Sequence, residues 1–145
     1  MSVAQTAPRT LPIPALSRPV AVLGAVLGAL VVNLVIWLIG TAAGGDFSTV
    51  DNGETMSVAP GGVIILSIVP LLIGLTAAAL ISYRWVGVLR VAAIVGSILA
   101  LGTIYLTIAA DFDTASTIAL SLMHVALVPF IVLATEAIRL RISAR

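Results

Sequence analysis

The 145-residue chain has no cysteine. Disulfides, thiolate nucleophiles, iron–sulfur clusters, cysteine-ligated zinc and quinone–thiol redox chemistry are therefore excluded. Charge is almost as scarce. Only 9% of residues are charged, against about 25% in soluble domains. Lysine is missing altogether, so the seven cations are all arginine. His124 is the single histidine, and a metal site needs three or four ligands. Bis-histidine haem would need a second chain to supply the other ligand. No nucleophile stands in an evident pair with a base, so the expectation is a protein that is not an enzyme and needs no cofactor.

What is present is apolar. Hydrophobic residues make up 61% of the chain, gathered in four stretches at about 20–41, 61–83, 88–110 and 114–138. Each is long enough to cross a bilayer, which takes about 20 residues. The fold class expected is an all-α membrane protein, a four-transmembrane-helix bundle occupying 19–140. Residues 1–18 are rich in Ala, Pro, Thr and Ser and are expected to form a disordered tail, with a second short tail at 141–145. The first stretch is too long for a signal peptide, whose apolar core runs about 7–15 residues, so it is expected to stay in the membrane.

The arginines sort by side. Arg9 and Arg18 precede the first stretch, Arg84 and Arg90 lie between the second and third, and Arg139, Arg141 and Arg145 follow the fourth. The other two connections carry Asp46, Asp51, Glu54, Asp111 and Asp113 and no arginine. Cytoplasmic loops retain basic residues, so both termini are expected in the cytoplasm, in a bacterial cytoplasmic (inner) membrane. Tyr83 and Trp85 anchor the basic turn at headgroup level, and Trp37 and Tyr105 suit the opposite interface. The acidic residues read as a solvated rim rather than a cation site, since their spacing does not fit the EF-hand loop.

The connection 42–60 is the longest. Asn52-Gly53 is a favoured pair for a type I′ turn. Centred there, a short external β-hairpin sets Phe47 opposite Val58 and Thr49 opposite Met56, with Phe47, Met56 and Val58 on the packed face. Asp113 is placed to cap the fourth helix. Glu136 and Arg139, three residues apart, suit a local ion pair.

Inside the membrane, small residues recur at four-residue spacing: Gly24 and Gly28, Gly74 and Ala78, Gly96 and Ala100. Such faces let helices approach closely, here chiefly within one bundle. Pro70 and Pro129 should kink their helices. Asn33, Ser67, Thr103, Thr107, Ser121 and His124 form a candidate polar cluster, because helical rise brings them to similar depth. Hydrogen bonding between helices is its plainer use, with His124 expected to bond Asn33 or a hydroxyl of the third helix. A small outward-opening binding pocket is the functional one.

Two segments carry a resemblance: Val58-Ala-Pro-Gly-Gly-Val-Ile-Ile-Leu-Ser67 and Asp113-Thr-Ala-Ser-Thr-Ile-Ala-Leu-Ser-Leu-Met-His124. With four spans and a hairpin-like loop, the chain resembles an uncharacterised actinobacterial family of small four-helix membrane proteins. That resemblance implies a fold and supplies no activity or site residues. The embedded glutamate of small multidrug transporters has no counterpart in the first span. The function expected is a structural or accessory membrane subunit, or a small-molecule or lipid binder or transporter using the cluster around His124. The partners expected are the lipid bilayer and a membrane protein or second copy of the chain, and no nucleic acid.

Overall fold

A computed structural model describes residues 13–58 and 60–144. Four helices, α1 Arg18–Ala42, α2 Pro60–Ile81, α3 Val88–Ala109 and α4 Thr114–Ser143, are each long and apolar enough to cross a membrane. A two-stranded antiparallel hairpin, β1 Ser48–Asp51 and β2 Glu54–Ser57, joins α1 to α2. In lipid a spanning backbone must satisfy its own polar groups, which is why these runs form helices. α4 spans about 45 Å at 1.5 Å per residue. It outruns a hydrocarbon core of about 30 Å, so the helix continues through 141–143, which the sequence reading gave to a tail.

The helices stop and start where local chemistry requires it. Pro19 lies in the first turn of α1, where its missing amide proton costs nothing. Arg18 closes the far end of α2. Its Nε donates to the Ser82 hydroxyl at 2.9 Å and the Ala79 carbonyl at 3.2 Å. Its guanidinium lies 3.8 Å from the centroid of the Tyr83 ring. A cation at a helix C-terminus meets unpaired carbonyls and the negative end of the dipole. Residues 13–17, assigned from sequence to the disordered tail, lie against α4: the Leu16 amide donates to the Ala137 carbonyl at 3.2 Å, and Ile13 and Leu16 pack on the core. The rest of that tail, residues 1–12, lies outside the described residues.

The hairpin has the expected register. Thr49 pairs with Met56 and Asp51 with Glu54, and the Val58 amide donates to the Phe47 carbonyl at 2.9 Å. Asn52 and Gly53 both have positive φ, as a type I′ turn requires. Its packed face is smaller than expected. Phe47 is buried and Val58 packs beside it, but Met56 is exposed. Of the Thr49–Met56 pair only Thr49 is held, by a hydroxyl bond to the Ala110 carbonyl.

α4 is the central helix, packed against α1 on one side and α3 on the other. Small residues set the approach. A Cβ on Gly28 would lie 2.6 Å from the Phe130 ring, and one on Gly96 would lie 3.2 Å from Ile131. Gly24 and Gly74 face open space instead. α2 leans on α1. Although α2 and α3 are consecutive, they pack only lightly on each other. Large side chains such as Leu23, Leu27, Val31 and Leu38 face outward, as a lipid-facing surface allows.

Candidate functional site: an intramembrane cavity

Because α2 follows α1 while α3 follows α4, the bundle stays open between α2 and α3. The opening is a cavity of about 520 Å³, within the range of small-molecule sites. It begins beneath the hairpin at Val58 and Val63 and runs to Leu75 and Ala92. Gly74 contributes to its width by having no side chain.

Four of the six residues of the candidate cluster line this cavity: Asn33, Ser67, Thr103 and His124. Asn33 reaches it from α1. Its Nδ2 donates to the Ser67 hydroxyl at 2.8 Å, tying α1 to α2. The side chain is 3% exposed, yet its Oδ1 has no partner among the described residues. An unsatisfied buried acceptor costs about 1–3 kcal/mol. The Thr103 hydroxyl donates to the Ala100 carbonyl at 2.7 Å within its own helix.

His124 does not make the side-chain bond expected of it. Its Nδ1 lies 2.8 Å from the Leu120 carbonyl, one turn back on α4. The helix supplies the partner locally, so no neighbouring helix has to. A carbonyl only accepts, so Nδ1 carries the proton of that bond, and Nε2 is the ring nitrogen left for another partner. Thr107 and Ser121 are not among the lining residues. Thr107 turns back to the Thr103 carbonyl at 3.3 Å.

A second polar assembly closes the hairpin side. The Asp113 carboxylate caps α4 by accepting from the Ser116 amide at 2.9 Å, and it also accepts the Ser116 hydroxyl proton. The Asp46 amide reaches the same carboxylate at 3.2 Å. The Ser116 hydroxyl in turn accepts from the Phe47 amide at 2.8 Å. These bonds, from Ser116 first and Asp46 after, hold the Asp113 carboxyl well below the ordinary carboxylate range. They also hold Phe47 at φ +54, a left-handed conformation unusual for a bulky side chain. Its ring packs among Val63, Ala119, Leu120 and Met123. Gly40 permits this: a Cβ there would lie 2.7 Å from Ala119 and 2.8 Å from Phe47. The Ser116 hydroxyl is fully buried, donating to Asp113 and accepting from Phe47, so the assembly fastens the hairpin to α4.

Sequence reasoning named Asp113 as the cap and put Phe47 on the hairpin's packed face, but it named neither Ser116 nor the seat of Phe47 against α4. The spacing Asp113-x-x-Ser116 was the available signal, since a residue three along from a cap is where its partner amide sits. The expected ion pair is present, with Arg139 donating to Glu136 at 2.8 and 2.5 Å.

No curated protein and no solved structure matches the chain. A family of unknown function, DUF6069, matches residues 14–140, which take in the hairpin, the cavity and nearly all of the four helices. The chain is a multi-pass membrane protein and belongs to the DUF6069 family of unknown function.

Proposed function

We propose that this protein is a non-enzymatic binding protein of the bacterial cytoplasmic membrane, which holds a small apolar molecule between α2, α3 and α4. One observation carries the reading: a cavity of about 520 Å³ lined by Asn33, whose buried Oδ1 has no partner among the described residues. Large apolar pockets with a few convergent polar groups are the usual form of a binding site. Catalysis is not proposed, because among the described residues His124 bonds a backbone carbonyl and no carboxylate lines the cavity with it. The arginine distribution supports an orientation with both termini cytoplasmic and the hairpin outside. The bilayer is the main partner, and nucleic acid is not one.

A second reading is an accessory subunit that presents its hairpin to a membrane protein or to another copy. It is favoured by Val50 and Met56, which stand exposed on an ordered hairpin. Purification from native membranes in mild detergent, followed by mass spectrometry, separates the two. A small molecule retained by the wild type and lost from Gly74→Leu supports the binding reading. A protein retained by the wild type and lost when Val50 and Met56 become serine supports the other.

A further inference from the structure

We infer that the cavity takes a neutral, single-chain amphiphile with a hydroxyl head, drawn from the bilayer through the gap between α2 and α3. The inference rests on the binding reading above and specifies its ligand.

The cavity is long and has two chemically different ends. Val63 and Leu75 both line it and are twelve residues apart on α2, about 18 Å of helix. The polar groups Asn33, Ser67, Thr103 and His124 gather in the hairpin-side half, a turn inside Val58 and Val63, at depths that agree to within about 6 Å by helical rise. The other end is bounded by Leu71, Leu75, Ala92, Leu127 and Ile131 and offers no hydrogen-bonding side chain. A molecule that fills both ends is polar at one tip and hydrocarbon along its length.

The head must be uncharged. Among the described residues, no Asp, Glu or Arg lines the cavity, and a lone charge placed in apolar surroundings is strongly disfavoured. Phosphate, carboxylate and ammonium heads are thereby rejected. The head must also donate. Asn33 Oδ1 is a buried acceptor without a partner among the described residues. A hydroxyl answers both needs. It donates to an acceptor of the site and can accept the Ser67 hydroxyl proton, for which no acceptor is otherwise assigned.

The route is lateral. Leu66 on α2 and Val95 and Leu99 on α3 line the cavity yet are exposed on the outer surface. They form the two lips of an opening that faces the acyl chains.

Equilibrium binding of tritiated monoolein to the purified protein tests this, with methyl oleate and oleate as competitors. All share one chain; methyl oleate lacks a donor and oleate is charged. Monoolein should bind saturably at one site, and methyl oleate should compete about tenfold more weakly, the effect of leaving one buried acceptor unsatisfied. Oleate should compete more weakly still. Asn33→Leu should erase the preference for monoolein over methyl oleate. Gly74→Leu, where an added side chain meets open space, should weaken both esters, whereas Gly102→Leu, outside the lining, should weaken neither. Leu66→Trp, at the lip, should slow uptake from nanodiscs more than it weakens equilibrium binding.

Equal competition by methyl oleate, or a preference that survives Asn33→Leu, overturns the hydroxyl assignment and leaves the binding reading standing. If Asn33→Leu does not fold, the wild-type competition and Gly74→Leu decide. An unchanged uptake rate in Leu66→Trp overturns the lateral route. Absence of saturable binding by either ester overturns the ligand class and the binding reading together.

Discussion

Single side chains in this protein act mostly through the backbone atoms they satisfy or spare. Asp113 is the clearest case. Its carboxyl is held below the ordinary range by Ser116 and Asp46, so its contribution is complete above the ordinary carboxylate pKa of about 3.9. It is lost only as the pH falls through the lower folded value. Hairpin docking, followed by the fluorescence of Trp37 beside the Phe47 cluster, should therefore persist at pH 4 and fail in stronger acid. Asp113→Ala should lower the melting temperature at neutral pH and remove that acid transition. Gly40 acts by what it omits. Gly40→Val should destabilise by about 1–3 kcal/mol in reversible unfolding, since its Cβ overlaps Ala119 and Phe47. His124→Leu should cost less, about 0.6 kcal/mol or under, because the bond removed lies within α4 and joins no two helices.

Among the elements, the hairpin depends most on one contact. Phe47→Ala should cost about 3–5 kcal/mol, the usual penalty for emptying a buried aromatic site, and should expose the 48–57 segment to protease. Relief of the left-handed backbone would offset little of it, because alanine also disfavours positive φ. The hairpin also shows what sequence can convey. Register was legible because Asn52-Gly53 fixes the turn and alternation fixes the pairing. The packed face was only half legible. Met56 follows the alternation, but whether any surface lies beneath it depends on where α3 and α4 end, and the hairpin's own sequence does not carry that. The helices were legible from their apolar lengths, and the Asp113 cap and the Glu136–Arg139 pair from local spacing. The cavity was not, although depth counting brought together four of its polar residues. Its width comes from α2 leaning on α1 and α3 on α4, a property of side-chain fit between helices distant in sequence. The partner of His124 was missed for a related reason: the carbonyl four residues back was in reach on the same helix, while a bond to another helix depends on how the two pack.

At the scale of the molecule, the arginine sorting makes orientation testable. Alkaline phosphatase fused within residues 42–60 should be active and a fusion after Arg145 inactive; the reverse pattern would turn the protein over. The central place of α4 has a further consequence, for biogenesis. The grip of Arg18 on Ser82 joins α1 to α2 as soon as the second helix leaves the ribosome. Phe47 cannot be seated then, because Ser116, Ala119, Leu120 and Met123 belong to α4, which is translated after the other three helices. Insertion is thus expected to pass through a three-helix stage with an undocked hairpin, and the arrival of α4 should convert it. In a series of stalled nascent chains, protease should cut the 48–57 segment until α4 has emerged, and spare it afterwards.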